Sequence, residues 1–203
     1  MAEPLLDLAR VIARREDARV TARVRAEPAL ATARIATGAT RAQAPDYFIA
    51  EIRHYVYAGD TLLHVAAAAY SLDVARALLA AGALVSAANR RGATPLHYAS
   101  DGGPDASNWD PSAQQKMVAL LVAAGADPNA LDKSGVAPLH RAVRTRSTGA
   151  VRGLLEAGCD PRLENANGSS PMDLAIGTTG KGGSGSPRAK AEQAKILALL
   201  SGA

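Results

Sequence analysis

Apolar residues recur along this chain in short helical blocks that are separated by turns rich in glycine and proline. The blocks at 5–15 and 17–26 carry apolar residues at helical spacing and predict two short helices. From residue 59 onward a different pair of blocks repeats. A tetrapeptide such as Thr-Pro-Leu-His at 94–97 opens a short apolar run, and a Leu-Leu run that ends in glycine follows it. This alternation predicts helix–turn–helix units.

The tetrapeptide recurs at a regular spacing. Residues 61–64 read Thr-Leu-Leu-His, 33 residues before the tetrapeptide at 94–97. Residues 137–140 read Ala-Pro-Leu-His, 33 residues before Ser-Pro-Met-Asp at 170–173. A fixed period is typical of stacked units, because one such unit cannot bury its own apolar face.

The residue types within the period predict how each unit begins and ends. Thr94 can cap a first helix, and Pro95 stands where a missing N–H costs nothing. Glycines after the Leu-Leu runs predict left-handed ends of the second helices. The residues on which this pattern rests are Thr61, His64, Gly82, Thr94, Pro95, His97, Gly125, Pro138, His140 and Gly158.

On these residues the chain resembles the ankyrin repeat, in particular through Gly-x-Thr-Pro-Leu-His-x-Ala at 92–99 and Gly-x-Ala-Pro-Leu-His-x-Ala at 135–142. The resemblance covers 59–203 well and the first 36 residues weakly. It implies a mainly α ankyrin-repeat solenoid of stacked helix–turn–helix units with β-hairpin or loop fingers. It also implies that the tetrapeptide histidines bond the backbone between adjacent fingers.

We expect the whole chain, 1–203, to form one solenoid, beginning with a degenerate capping unit and an extended finger insertion. The remaining units are a regular repeat, a repeat with a helix–helix loop insertion, another regular repeat and a C-terminal repeat with a Gly/Ser-rich insertion. The expected divisions are 1–36, 37–58, 59–91, 92–134, 135–167 and 168–203.

The finger insertion at 37–58 is rich in aromatic residues, including Tyr47, Phe48, Tyr55 and Tyr57. Its alternation of apolar residues is imperfect, so the segment can form either a lengthened hairpin or a short amphipathic helix at 46–54. It either closes the end of the stack or offers an aromatic surface to a partner.

Two further insertions fall between paired helices, at 101–111 and at 177–187, and should project from one edge of the stack. The first holds Trp109, the chain's single tryptophan. This side chain either packs the loop onto its helices or contacts a partner.

Composition narrows the possible functions. The net charge is +4, but basic and acidic residues are mixed along the chain and only 3% of residues are aromatic, so nucleic-acid binding is not expected. The single Cys159 excludes an internal disulfide and reads as a small buried residue. With no evident signal peptide or membrane span, we expect a cytoplasmic monomer, and the Ala/Arg-rich usage suggests a bacterium.

Several motifs suggest chemistry but lack its context. Gly-Lys-Gly-Gly-Ser-Gly at 180–185 fits G-x-G-x-x-G, yet it follows no predicted strand and opens no βαβ unit. The tetrapeptide histidines would be separated by the stacking of units, too far apart to share a metal ion. No nucleophile has an evident base. We therefore expect no metal, no cofactor and no enzymatic activity.

The expected function is binding of another protein through the concave face. In the ankyrin family, contact residues lie on finger tips and on the inner side of the first helix, and counting from each histidine transfers these positions to this chain. They are Tyr57, Asp60, Arg90, Arg91, Ala93, Asp101, Lys133, Val136, Arg144 and Thr145, with Trp109 added from the loop.

Arg90, Arg91, Lys133 and Arg144 would form a basic stripe, which suits an acidic partner surface. The alternatives are binding of an anionic ligand or nucleic acid through that stripe, and a role as a regulatory or accessory subunit of an enzyme.

Overall fold

The computed structural model describes residues 4–177 and 186–203, in which helices are the main regular structure. The first pair of helices, α1 (Pro4–Ala13) and α2 (Asp17–Ala26), lies at the N-terminal end. Helix α1 ends at Ala13 and not at residue 15 as predicted. The reason is that Arg15 adopts a left-handed conformation with φ of 62°, which an α-helix cannot continue.

Further helix pairs follow along the chain, and their first and second helices form two layers. Their bounds are α3 Leu62–Ala68, α4 Leu72–Ala80, α5 Pro95–Ala99, α6 Pro111–Ala123, α7 Pro138–Thr145, α8 Thr148–Glu156, α9 Pro171–Gly177 and α10 Pro187–Ser201. Inner-layer helices pack successively, α1 on α3, α3 on α5, α5 on α7 and α7 on α9, and the even-numbered helices α2 to α10 do the same in the outer layer. This is the predicted helical solenoid.

The core consists of equivalent residues from successive units. The tetrapeptide leucines Leu63, Leu96 and Leu139 are buried between inner helices. Alanines such as Ala99 and Ala142 are also buried, and their small side chains let neighbouring helices approach closely. Each buried leucine contributes roughly 1.5–3 kcal/mol relative to an exposed one. The stack is therefore held by short-range contacts between neighbours.

Helix ends follow the predicted chemistry. Thr94 precedes α5 in an extended conformation, and Pro95 occupies the first helical position. The three glycines predicted to end outer helices are left-handed, with φ of 91° at Gly82, 96° at Gly125 and 76° at Gly158. An L-residue with a side chain rarely adopts this conformation, which accounts for the recurrence of glycine.

The finger insertion forms a small hairpin and not a helix over 46–54. Strands β1 (Phe48–Ile49) and β2 (His54–Tyr55) pair antiparallel, with Phe48 opposite Tyr55, and a short 3-10 turn connects them. Arg10 of α1 donates a hydrogen bond from Nη2 to the Asp46 carbonyl at 3.0 Å. The hairpin is thus held against the first helix pair.

The loop between α5 and α6 is tied to the helices beneath it. Trp109 is buried, and its Nε1 donates to Oε1 of Gln114 at 3.2 Å. The Gln114 amide nitrogen in turn donates to the hydroxyl of Tyr70 and to the carbonyls of Ala99 and Asp101. Trp109 therefore packs the loop and is not exposed for a partner, contrary to its place among the expected contacts.

The glycine-rich motif at 180–185 lies outside the described residues, as does most of the Gly/Ser-rich insertion. Ser186, at the end of that insertion, is described. Its hydroxyl accepts from the backbone N–H of Ala189 at the start of α10 and donates to Oδ1 of Asp105 at 2.6 Å.

Candidate functional site

The fingers are shaped by one side chain in each unit. In three successive fingers an Asn or Asp oxygen accepts backbone N–H groups two and four residues further on. This is the side-chain-closed turn typical of these residue types. The residues are Asn89, Asp132 and Asn165. The sequence motifs described above do not include these residues, although each stands three residues before a unit-opening glycine.

Histidines link each first helix to the next finger. The backbone N–H of Thr94 donates to Nδ1 of His97 at 3.1 Å, and Nε2 of His97 lies 3.0 Å from the carbonyl oxygen of Val136. Because Nδ1 accepts, Nε2 carries the proton and donates to Val136. His64 makes the same pair of contacts with Thr61 and Ala93. Both histidines thus form the finger-to-finger bond that the ankyrin resemblance implies.

The link changes towards the C-terminus. His140 accepts from the backbone N–H of Ala137 at 3.1 Å, but its buried Nε2 forms no hydrogen bond of good geometry with the described residues. In the last unit Asp173 replaces histidine. It accepts from the backbone N–H of Ser170 at 2.9 Å, and its own N–H donates to the Ser170 hydroxyl. This reciprocal cap secures the start of α9.

Burial controls the protonation of these imidazoles. It lowers the pKa of His97 to about 4, with the nearby Arg141 charge acting in the same direction. Burial also lowers the pKa of His64 and of His140. A neutral ring suits the bonds described above, since Nδ1 must keep its lone pair to accept the helix-capping N–H.

The free energy of unfolding should therefore fall as the pH drops from about 7 to about 5. In the unfolded chain these histidines have a pKa near 6.5. Below that value the unfolded state binds more protons than the folded state does. Each histidine that remains neutral when folded then lowers the free energy of unfolding by up to about 1.4 kcal/mol for each unit by which the pH falls. For His97 this loss stops near pH 4, where the folded imidazole also takes up a proton.

Urea unfolding at several pH values in this range measures the effect. His97→Gln removes one titrating group and should give a shallower pH dependence, together with lower stability at neutral pH. An unfolding free energy that stays constant between about pH 7.5 and 5.5 would contradict the assignment of neutral, buried histidines.

Besides Trp109, two expected contact residues are buried. Asp60 is fully buried, and its carboxylate accepts from the Tyr98 hydroxyl at 2.7 Å and from the Asn89 amide at 2.8 Å. Ala93, in the finger that Asn89 closes, is 1% exposed. Neither side chain is accessible to a partner, so their expected contact roles are not retained. Asp60 instead joins two fingers and an inner helix.

The finger tips carry a group of cations, which we name the finger-tip cluster: Arg34, Arg90, Arg91 and Lys133. The guanidinium groups of Arg90 and Arg91 lie 5.5 and 5.0 Å from the centre of the Tyr57 ring. The backbone N–H of Lys133 donates to the carbonyl of Arg91, and Arg34 donates to the carbonyl of Ala88. Across the described part of the chain, no carboxylate pairs with any of the four.

The expected basic stripe is therefore divided. Arg144, its fourth member, lies near the end of α7 and lines a cavity that includes none of the finger-tip cluster. Its neighbour Arg141 is largely buried and bridges Asp101 at 2.9 Å and Asp132 at 2.8 Å. Asp101, another expected contact, is thus engaged within the fold.

The cavity lies over the C-terminal ends of the inner helices and has a volume of about 960 Å³. The hairpin, the 101–110 loop, α7 and α9 form its walls. Thr145 is half-buried in one wall, where its hydroxyl donates to the Arg141 carbonyl at 2.9 Å. The half-buried Val136 contributes its carbonyl to the His97 bond. Of the expected contacts, Arg90, Arg91, Lys133 and Arg144 are exposed, and Tyr57 is half-buried.

Within residues 4–177 and 186–203, no group of three or more metal-binding side chains is arranged to hold a metal ion. Cys159 is buried, and burial raises the pKa of its thiol to about 11, so it is not a reactive thiolate at neutral pH. None of the helices in those same ranges combines the length and apolar character needed to cross a membrane.

Comparison with protein-family models agrees with this architecture. A model described as "Ankyrin repeat" matches residues 58–90 and 91–133, and one described as "Ankyrin repeats (many copies)" matches 121–175. A comparison with curated proteins gives no significant match. The matched segments contain the histidine links, the finger turns and the glycine-ended outer helices described above. The chain belongs to the ankyrin-repeat family.

Proposed function

We propose that this chain is a non-catalytic protein-binding module whose finger tips bind an acidic surface of a partner protein. Ankyrin repeats are generally protein–protein interaction modules. The observation that carries the finer proposal is the finger-tip cluster, in which four neighbouring cations have no carboxylate partner among the described residues. From the sequence features given above, we also propose a monomer of the bacterial cytoplasm.

The three arginines of the finger-tip cluster are held in place before any partner arrives. Tyr57 lies under two guanidinium groups, and its hydroxyl accepts from Nη1 of Arg91 at 3.3 Å. Arg90 donates to the Ala39 carbonyl, and Arg34 donates to the Gly59 carbonyl at 3.1 Å. Side chains that are already ordered lose less conformational entropy on binding. Arginine is also the cation best suited to paired bonds with a carboxylate.

Charge reversal at the finger tips should abolish capture of the partner. In Arg91→Glu with Lys133→Glu, two cations of adjacent fingers become anions, and an acidic partner would then be repelled. Folding should change little, because exposed charges contribute little to stability. Affinity capture from the source cell with wild type and variant, followed by identification of the bound proteins, measures the loss.

Arg152→Glu with Lys190→Glu is the matched control. Both cations are exposed on outer helices and have no carboxylate partner in the part of the chain that the structure describes. The control should retain the proteins that wild type captures. If the finger-tip variant also retains them, the acidic-partner proposal is wrong. Capture of nucleic acid by wild type, with affinity falling steeply as salt rises, would favour the alternative function.

A further inference from the structure

The cavity over the inner helices takes no part in the proposed function, yet it has the character of a ligand site. Its volume of about 960 Å³ lies within the usual range for small-molecule pockets, roughly 300–1,000 Å³. Much of the wall is apolar, with contributions from Ile52, Tyr98, Pro104 and Leu174. A cavity of this kind favours a ligand with an apolar body.

The walls are connected to one another. Nη1 of Arg53, in the hairpin, donates to the Asp105 carbonyl at 3.2 Å, which joins the hairpin to the loop between α5 and α6. The Asp105 carboxylate accepts from the hydroxyl of Ser186, which joins the same loop to the start of α10. Elements from separate units thus form one frame around the cavity. A preformed, walled space suits a small molecule better than an extended protein segment.

The polar groups that line the cavity are not all satisfied. The acidic ones are engaged within the fold, since Asp101 pairs with Arg141, Asp105 accepts from Ser186 and Asp173 accepts from Ser170. By contrast, Arg144 is exposed and has no hydrogen-bond or carboxylate partner among the residues described.

His54 also lines the cavity, with its ring centre 4.1 Å from that of Tyr98. Its Nε2 is buried and has no hydrogen-bond partner in the described structure. Buried polar atoms without a partner are rare in folded proteins, because they have lost water without gaining a replacement. Because Nε2 has almost no accessible surface, it cannot bond a molecule in the cavity directly, and His54 contributes only to the wall.

We propose that this cavity binds a small organic carboxylate with an apolar body, in which the carboxylate pairs with Arg144. The apolar walls enclose the body of the ligand. The charge of Arg144, which no carboxylate of the described chain neutralises, selects the acid over its neutral amide. The site is independent of the finger-tip cluster, and each can fail without the other.

Calorimetric titration with 4-phenylbutyrate, decanoate and naphthalene-1-acetate, each beside its amide, tests this site. Wild type should bind at least one acid, with the matching amide about tenfold weaker, as loss of a charged hydrogen bond implies. Arg144→Gln should weaken binding of the acid about tenfold and leave the amide unchanged. Ala106→Trp, which places a large ring in the loop wall, should abolish binding of both.

Arg152→Gln is the control and should bind like wild type, since this exposed arginine lies on α8 and does not line the cavity. The proposal is overturned if no acid binds wild type at millimolar concentration, if acid and amide bind equally, or if Arg144→Gln has no effect. Binding restricted to peptides that end in a free carboxylate after an apolar residue would also overturn it, in favour of a protein terminus.

Discussion

Arg141→Met should lower the free energy of unfolding by about 3 kcal/mol, the usual cost of breaking a buried ion pair. The Arg141 guanidinium bridges two carboxylates, Asp101 at 2.9 Å and Asp132 at 2.8 Å, and all three side chains are between 7% and 18% exposed. Burial alone would lower the pKa of Arg141, but the two carboxylates raise it. The variant leaves both acids without their cation, although methionine still fills the volume.

Arg144→Met is the matched control. Arg144 lies one turn further along α7 and is exposed, so its loss should cost no more than a few tenths of a kcal/mol. Adding Asp101→Asn to Arg141→Met should recover part of the stability, because one uncompensated charge is then removed. Urea unfolding measures all three variants. Equal stability of the Arg141 and Arg144 variants would mean that the bridge does not support the stack.

Gly149→Ala should lower the free energy of unfolding by about 2 kcal/mol, a typical cost of overpacking, even though alanine favours a helix. A Cβ at this position would lie 2.1 Å from the carbonyl oxygen of Pro111 and 2.7 Å from its Cα. These are backbone atoms at the start of α6, which no rotamer change can move. Helices α6 and α8 would have to separate.

Gly153→Ala provides a close comparison in the same helix. There the added Cβ would meet the Val118 side chain at 3.2 Å and the Gln115 carbonyl oxygen at 3.3 Å, contacts that a shift of a few tenths of an ångström relieves. Because both substitutions gain the same helix propensity, the difference in their unfolding free energies measures the much closer backbone contact at Gly149. If Gly149→Ala is no less stable than Gly153→Ala, helices α6 and α8 do not pack as closely as described.

The two binding proposals place different demands on the same scaffold. The finger-tip cluster is an exposed surface made by loops, whereas the cavity is an open cleft bordered by two insertions and the inner helices. The Arg53–Asp105 bond joins the hairpin to the loop between α5 and α6, so the two insertions border the cavity together.

Local patterns in the sequence were sufficient to predict the repeated features of this protein. The spacing of the tetrapeptides predicted the stacked helix pairs, and the glycines predicted left-handed helix ends, because both depend on interactions within a few residues. Accessibility could not be predicted in the same way. Asp60 occupies a position that looks exposed when counted along one unit, but Asn89 and Tyr98 lie against its carboxylate and bury it.

The tertiary structure alone decided which charges meet. Arg141 was one of many arginines in the sequence, and only stacking brings it between Asp101, forty residues away along the chain, and Asp132. The joining of the hairpin to the 101–110 loop likewise depends on how two insertions fold back over the same face. Periodicity therefore determined the scaffold, since each unit repeats the same local interactions. The cavity lies where insertions break the period, and its geometry depends on contacts between residues distant in sequence.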